Sequence, residues 1–239
     1  MKILDDLINT LEPAEIKDIR MGVFTTAVIS RQCGLSSTVH PDHHDHSVKI
    51  NDAGDLIGKN IQEIALKVKS SYVLEASLGM ACINSGLHLD GLKFVGVNAE
   101  EIIRDKGKNK NVAVIGHFPF VERLRPHVKN LYVFEKHLSE GDIPAQQIPG
   151  ILPDVAVVAM TGTTLINHTF DEIMNYTRKD AFKIMLGPST PLNKILFDYG
   201  LDVLSGVIVE DISTVLNYIQ QGASFQQIRG KRLVAIMKE

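Results

Sequence analysis

The 239-residue chain contains no tryptophan, only two cysteines and few aromatic residues, which make up 6% of it. Cys33 and Cys82 lie far apart in the sequence, so neither a disulfide framework nor a zinc site built on paired cysteines is indicated. No apolar run approaches the roughly 20 residues that a membrane span needs. We therefore expect a cytoplasmic protein with reduced cysteines and no membrane partner.

A strong charge of either sign is also absent, because 25 Lys and Arg residues stand against 28 Asp and Glu residues, for a net charge of -3. Proteins that hold nucleic acid by its phosphates usually carry a basic excess, so no nucleic-acid partner is expected. Residues 1–11 combine acids with apolar residues at helical spacing, which predicts an amphipathic helix and not a secretion signal. The sequence leaves the oligomeric state open, and a homodimer is compatible with it.

Hydrophobic residues make up 44% of the chain, which is enough to build real cores, and the length suits one large or two small domains. A polar stretch of Lys, Gly and Asn at residues 106–110 separates two different patterns. We predict an α+β domain at residues 1–105 and an α/β domain with a parallel sheet at residues 106–239.

The pattern of the first half predicts a hairpin followed by helices. Residues 22–30 are rich in Val, Thr, Phe and Ile, which is typical of a strand, and residues 35–39 would be its partner. Residues 60–68 and 72–85 place apolar side chains on one side at helical spacing. Strands followed by helices in this order indicate a small α+β module.

In the second half, short apolar runs alternate with helical patterns. The predicted strands are residues 112–115, 131–134, 155–159, 183–186 and 203–209. The predicted helices between them are residues 121–128, 164–177, 192–199 and 211–221. The connection at residues 136–154, which contains Pro and Gly, is predicted to be mainly loop. Alternation of this kind predicts right-handed crossovers and a parallel sheet buried on both faces.

The loops that follow the predicted strands are candidates for a ligand site, because ligands of open α/β sheets bind beyond the carboxyl ends of the strands. Three of these loops combine glycine, which lets backbone N–H groups approach a ligand closely, with side chains that form hydrogen bonds. They contribute Gly116, His117 and Phe118, then Thr161, Gly162, Thr163, Thr164 and Asn167, and finally Gly187, Pro188, Ser189 and Thr190. Helix capping is the alternative interpretation of any one loop. Three such loops at one sheet edge favour a shared small-molecule or anion site.

Glu135 lies at the end of the second predicted strand, where an acid often binds a ribose hydroxyl in nucleotide-binding folds. The glycine-rich fingerprint of those folds is missing, because residues 116–119 have the sequence GHFP, so a dinucleotide site is disfavoured. A methyltransferase-like nucleoside pocket and a solvated strand end are the alternatives for Glu135. His117 in the neighbouring loop is a candidate catalytic acid or base, with a structural histidine as the alternative.

Four of the nine histidines lie in the segment HPDHHDH at residues 40–46. In an extended chain alternate side chains share a face, so His40, Asp42, His44 and His46 would lie together. Nitrogen and oxygen donors in this arrangement suit a divalent transition metal. The alternative is an exposed hydrophilic loop that binds metal only loosely.

Several motifs of the chain resemble a family described as putative heavy-metal chelation. In the second half these are VIGHFPF at residues 114–120, TGTTLIN at residues 161–167, LGPSTPL at residues 186–192 and FDYGLDVLSGVIVED at residues 197–211. In the first half the most similar segment is EASLGMACIN, which ends at Asn84. Asn84 could face the second domain or cap its helix. The segment at residues 40–46 is not part of the family pattern.

The resemblance implies a fold, namely an enolase-N-terminal-like domain followed by a Rossmann-like domain, with a site in the cleft between them. It also implies a role in metal homeostasis, with a small anionic or heterocyclic ligand bound in that cleft. The alternative is an enzyme that makes or hydrolyses a pterin-, flavin- or siderophore-like chelator precursor, with His117 as its acid or base. Whether the protein is an enzyme is left open, as are the identity of the ligand and of any metal.

Overall fold

The computed structural model describes residues 1–41, 49–96, 98–136 and 138–239. In these residues the strands are β1 (Asp18–Met21), β2 (Thr25–Ile29), β3 (Cys33–Ser37), β4 (Asn111–Ile115), β5 (Asn130–Glu135), β6 (Ile143–Pro144), β7 (Val157–Thr161), β8 (Phe182–Leu186), β9 (Val203–Val209) and β10 (Lys231–Met237). The α-helices are α1 (Lys2–Asn9), α2 (Ile61–Ala65), α3 (Val73–Gly86), α4 (Ala99–Gly107), α5 (Val121–Leu124), α6 (Ile148–Ile151), α7 (Phe170–Tyr176) and α8 (Ile212–Gln220). The predicted α/β class is confirmed. None of the helices in the described part of the chain is both long and apolar enough to span a bilayer.

The first half of the chain forms a three-stranded antiparallel sheet in the order β1-β2-β3, which packs against α3. Nearly every residue of α3 is buried, as expected for a helix that is surrounded by other elements. Two glycines allow this close packing. A Cβ at Gly34 of β3 would lie 2.1 Å from Ser85 N, and a Cβ at Gly79 of α3 would lie 2.1 Å from Val68 N. The backbone of α3 therefore sits directly against its neighbours on two sides.

The second half forms a seven-stranded sheet in the order β10-β9-β8-β7-β4-β5-β6, in which β10 is antiparallel to β9 and the other pairs are parallel. Counted from β4, the parallel strands lie in the spatial order 3-2-1-4-5-6, which is the order of doubly wound dinucleotide-binding sheets. The order reverses between β4 and β7. A ligand crevice is expected beyond the carboxyl ends of these two strands.

Each face of the large sheet builds its own core, because successive side chains of a strand point to opposite faces. On one face, Val112 and Val114 of β4 pack with α4 and α5. On the other face, Ala113 and Ile115 belong to a core that continues into α1, α2 and α3. A third core joins α8 to β2 and β3, with Val215 fully buried in it. The two halves of the chain thus share their hydrophobic interior.

Polar contacts also join the halves at α1. The Tyr199 hydroxyl donates to Asp6 Oδ2 over 2.5 Å, and Asn193 Nδ2 donates to Thr10 Oγ1 over 2.9 Å. Burial, together with the hydrogen bond to the Asp6 carboxylate, raises the pKa of Tyr199 to about 12. The phenol therefore stays protonated and keeps its donor role at neutral pH.

Seven strands overlap the predicted ones, whereas β1, β6, β10 and α4 were not predicted. α4 spans the position of the predicted domain boundary at residue 105. The connection at residues 136–154, predicted to be mainly loop, instead contains β6, α6 and two short 3-10 turns. Its prolines do not prevent helix formation, because Pro149 and Pro153 lie in the first turn, where a backbone N–H has no intrahelical acceptor.

The predicted helix at residues 164–177 is divided into a 3-10 turn and α7. The break lies at His168, whose φ of 61° is in the left-handed region. Just before it, Asn167 Oδ1 accepts hydrogen bonds from Thr169 N and Thr169 Oγ1, a local pattern that competes with a continuous helix. His168 Nε2 lies 2.8 Å from Val68 O, so the break also forms a contact with the first half.

Candidate functional site

A cleft of about 1300 Å³ lies at the carboxyl edge of the large sheet, where the loops after β4, β5, β7 and β8 converge. Small-molecule pockets are commonly about 300–1000 Å³, so this cleft can hold a ligand of considerable size. Its other walls include residues 94–96, 98–100, 224–226 and 232–234, and the hairpin of the first half contributes Ser37. The crevice expected from the reversal of strand order is therefore present, and both halves of the chain line it.

Glu135 holds the backbone of the loop that follows β4. Gly116 opens this loop with a φ of 98°, a conformation that favours glycine. The next N–H group, of His117, donates to Glu135 Oε2 over 2.9 Å, and Lys136 N donates to Glu135 Oε1 over 2.7 Å. Each carboxylate oxygen of Glu135 thus accepts a backbone hydrogen bond. This gives Glu135 a structural role beside the ribose-binding role that its position suggested.

Two phenylalanines give the cleft a flat apolar surface. Phe118 and Phe120 are stacked, with ring centroids 5.3 Å apart and planes inclined by 9°. Cβ atoms built on Gly116 and Gly187 would lie 3.6 Å and 4.0 Å from the two Cε atoms of Phe118. The Phe118 ring therefore lies against both glycine-containing loops, where a pyrophosphate would approach the backbone in a dinucleotide site. The ring itself is half-buried.

The loop after β7 is ordered by hydrogen bonds among its own threonines. Thr161 Oγ1 accepts from Thr163 N over 3.3 Å and from Thr163 Oγ1 over 3.1 Å. Thr164 Oγ1 donates to Thr161 O over 2.9 Å. These three residues and Asn167 line the cleft. Helix capping and a position in the cleft wall therefore coexist in this loop.

Arg123 of α5 lines the cleft in a fixed orientation. Its Nε and Nη2 donate to Glu100 Oε1 and Oε2 over 2.8 Å and 2.6 Å, and its Nη1 donates to Pro119 O over 3.3 Å. The hydrogen bond from Arg123 lowers the pKa of the Glu100 carboxyl, although burial opposes this effect. The pair is unequally exposed, with 63% of the Arg123 side chain and 19% of the Glu100 side chain accessible. Arg123 is therefore the member of the pair that is exposed to solvent.

His117 lies beside a buried carboxylate. Its Nδ1 is 3.6 Å from Asp142 Oδ1, and 4% of the Asp142 side chain is exposed, against 52% of the His117 side chain. Asp142 Oδ2 accepts from Ser139 N over 2.9 Å, which holds the carboxylate in place. The two atoms are close enough for electrostatic attraction but lie beyond hydrogen-bonding distance, so Asp142 lies behind one ring nitrogen of His117 without fixing the ring.

The loop after β8 connects the cleft to the first half. Gly187 and Pro188 line the cleft, and Gly187 has a φ of 105°. Ser189 Oγ accepts from Ser37 N over 2.8 Å, at the end of β3. Asn84 Nδ2 of α3 donates to Pro188 O over 3.4 Å. The first half thus supports this side of the cleft through two polar contacts.

The cleft brings together most of the residues predicted to bind a ligand, namely Gly116, His117, Phe118, Glu135, Thr161, Thr163, Thr164, Asn167, Gly187 and Pro188. The other predicted residues, Gly162, Ser189, Thr190 and Asn84, are buried instead. A Cβ at Gly162 would lie 2.6 Å from Ser189 C, so the two loops touch through their backbones. Thr190 Oγ1 and Asn84 Oδ1 have no hydrogen-bond partner in the part of the chain that the structure describes. Ligand binding by all of the predicted residues, in the cleft or buried, stays a prediction.

Sequence reasoning missed Arg123, Glu100, Asp142 and the segment at residues 94–96. The prediction of ligand-binding loops was restricted to residues directly after predicted strands, whereas Arg123 lies in a helix and Asp142 lies in the connection predicted to be loop. Arg123 follows the glycine-containing loop by one helical turn, and that position could have identified it. Residues 94–96 carry no comparable signal.

Of the predicted metal ligands, His40 is described by the structure, whereas Asp42, His44 and His46 lie outside the described residues. His40 Nε2 is 2.7 Å from Val23 O. Over residues 1–41, 49–96, 98–136 and 138–239, no group of three or more His, Cys, Asp or Glu side chains is arranged to hold a metal ion. The metal site at residues 40–46 therefore stays a prediction.

The comparison with protein families agrees with the motifs. The DUF364 family model, described as "Putative heavy-metal chelation", matches residues 98–238. The chain belongs to this family. A second model with the same description, DUF4213, matches residues 4–87. The resemblance predicted from the sequence is thereby confirmed, while the chemistry behind the family description is not specified by it.

Other DUF364 proteins of known structure have the same fold. A protein with unknown function from Desulfitobacterium hafniense is 26% identical, with a TM-score of 0.86 over 99% of this chain and 97% of that chain. One from Pyrococcus horikoshii is 22% identical, with a TM-score of 0.81 over 99% of this chain and 98% of that chain, and shows the fold alone. An uncharacterized protein of Methanocaldococcus jannaschii is 26% identical over 205 residues, which are 82% of this chain and 78% of the relative.

Proposed function

We propose that this DUF364 protein binds a small anionic heterocycle, a chelator of heavy metal, in the cleft between its two halves. The observation that carries the proposal is the convergence of three glycine-containing loops in one cleft, at the point where strand order reverses. In this proposal the metal is cargo that enters with its chelator. The protein then serves in metal homeostasis.

The lining of the cleft supports a planar ligand more than an extended dinucleotide. The Phe118 ring offers a stacking surface, and it lies over the glycines that a pyrophosphate would need to approach. The hydroxyls of Thr161 and Thr163 and the amide of Asn167 supply polar groups around this surface. Ser37 and residues 94–96 also line the cleft. A mainly apolar pocket with a few polar groups that fix orientation is typical of small-molecule sites.

The decisive measurement is native mass spectrometry of protein purified without a metal-affinity tag, combined with elemental analysis. We expect a retained organic mass together with a metal. Phe118→Ala should weaken retention about 10–100-fold, because aromatic stacking and burial of the ring are both lost. Phe182→Ala is the matched control, since Phe182 lies at the opposite end of a strand, at the start of β8, and should retain the ligand.

Two outcomes would contradict this proposal. A metal retained near stoichiometry without any organic mass would move the site to residues 40–46, and replacement of His44 and His46 by Ala should then abolish it. Equal retention by wild type and Phe118→Ala would show that the ligand does not stack in the cleft.

An enzyme that acts on a chelator precursor is the second candidate function, and the buried Asp142 beside His117 favours it. We expect the ligand recovered from the protein to be converted on incubation with fresh protein, as followed by liquid chromatography and mass spectrometry. His117→Gln should lower the rate by about 10²–10⁴-fold and remove one limb of the pH–rate profile, because general acid–base catalysis contributes this much. Unchanged conversion by His117→Gln would eliminate His117 as the acid or base.

A further inference from the structure

Arg123 in the cleft has N–H groups that the described hydrogen bonds do not use. Arg123 uses Nε, one N–H of Nη2 and one N–H of Nη1 in its contacts with Glu100 and Pro119. A guanidinium has five N–H donors, so among the described contacts one donor remains on each terminal nitrogen. A carboxylate can accept from both terminal nitrogens of an arginine at once.

We infer that Arg123, held in place by Glu100, binds a carboxylate carried by the cleft ligand and so selects acidic ligands over neutral ones. This inference rests on the proposed function, because it concerns the same cleft, and it specifies which charged group the ligand must carry. It also assigns Glu100 the role of a positioning residue.

The geometry of the ion pair supports this assignment. Glu100 accepts through both oxygens, so the guanidinium plane is fixed before a ligand arrives, and less side-chain entropy is lost on binding. The exposed face of the pair is cationic, because the Glu100 side chain is far less exposed than that of Arg123. The pair therefore presents an oriented positive charge to the cleft.

Arg123 lies close enough to the aromatic surface for one ligand to contact both. Its Nη1 bonds to the carbonyl of Pro119, the residue between the stacked Phe118 and Phe120. A ring stacked on Phe118 would thus place a substituent within reach of the guanidinium. The flat ring and the acidic group would then be parts of the same ligand.

Arg232 is the natural comparison, since it also lines the cleft. It lies on β10, away from the Phe118 loop in the sheet order, and a 2.6 Å hydrogen bond joins its Nε to Glu210 Oε1. With one described hydrogen bond, in place of the three that Arg123 makes, its guanidinium is less firmly oriented. Arg232 therefore serves as a matched control for a cleft arginine outside the proposed subsite.

The test compares two fluorescent probes, pterin and pterin-6-carboxylate, which differ by one carboxylate. We expect the acid to bind wild type about 10–100-fold more tightly, as a charge-assisted bidentate contact allows. Arg123→Met should abolish this preference, and Arg232→Met should retain it. Arg123→Lys keeps the positive charge but cannot donate two parallel hydrogen bonds to one carboxylate, so it should show a reduced preference for the acid. This variant decides the question if Arg123→Met does not fold.

The outcomes separate this inference from the proposed function. Equal binding of both probes to wild type, or an acid preference that survives in Arg123→Met, would overturn the role of Arg123 while leaving a ligand in the cleft. A full preference in Arg123→Lys would contradict the bidentate contact. Binding of neither probe would count against the planar ligand itself, and against the inference with it.

Discussion

Gly34→Ala is expected to destabilise the protein by about 3 kcal/mol or more, at the upper end of the range for overpacked cores. A Cβ at this position of β3 would lie 2.1 Å from Ser85 N, 2.4 Å from Ala81 O and 2.5 Å from Asn84 C. All three are backbone atoms of α3, so no side chain can rotate away to relieve the overlap. Urea denaturation followed by circular dichroism measures the loss.

Gly150→Ala is the control for this substitution. Gly150 lies in α6, and a Cβ there would meet nothing within 4 Å. We expect no loss of stability and a gain of up to about 1 kcal/mol, because alanine restricts the unfolded chain and favours helix. If Gly34→Ala were as stable as Gly150→Ala, α3 could not lie on β3 as described.

Glu75→Ala is expected to cost about 3–5 kcal/mol in the free energy of unfolding, the usual effect of removing one partner of a buried ion pair. The Glu75 carboxylate accepts hydrogen bonds from Lys67 Nζ, Asn51 N and Ser70 Oγ over 2.8–2.9 Å. The side chains of Glu75 and Lys67 are 8% and 14% exposed, so the largely buried lysine would lose its carboxylate partner and keep only its contact with Asn51 O. Glu63→Gln is the control, since the Glu63 side chain is 59% exposed and should change stability by less than about 0.5 kcal/mol.

The same carboxylate makes stability depend on pH. Burial alone would raise the pKa of Glu75, but the hydrogen bonds from Lys67, Asn51 and Ser70 outweigh it and lower the pKa. A lowered pKa stabilises the fold at pH values above the unfolded pKa of about 4.3, and the contribution is lost as pH falls through the folded pKa. Denaturation curves between neutral and acidic pH should show a larger loss of stability in wild type than in Glu75→Gln, where only the other carboxyls with a lowered pKa, such as Glu100, contribute. Parallel curves for the two proteins would refute it.

Much of the fold was predictable because the spacing of apolar residues along the sequence indicates which side chains are buried. Strands such as β4 and β7 are short apolar runs that are covered on both faces, and the sequence marks them clearly. β10 was not predicted because residues 231–233 at its start are partly or fully exposed, as expected for a strand at the edge of a sheet. β6 has two residues, too few for any period to show. Pattern reasoning therefore fails where an element is short or lies at an edge.

The candidate site was predictable in part for a different reason. Glycine loops after parallel strands must meet at one sheet edge, so the sequence order already places Gly116, Thr161 and Gly187 together. What sequence could not give is which of their neighbours face the ligand. Ser189 and Thr190 resemble the cleft residues in the sequence, yet packing against Gly162 and β3 buries them. Orientation is decided by tertiary contacts that no local spacing encodes.

The hydrophobic core shared by the two halves bears on how the segments matched by the two family models unfold. Residues 4–87 and 98–238 match separate models, yet one hydrophobic core runs through both segments, and α8 covers the hairpin formed by β2 and β3. The two segments match different models but share a hydrophobic core, so they should unfold together as one cooperative unit. A ligand seated on the loops of the large sheet would then protect the hairpin as well, although it touches that hairpin only at Ser37.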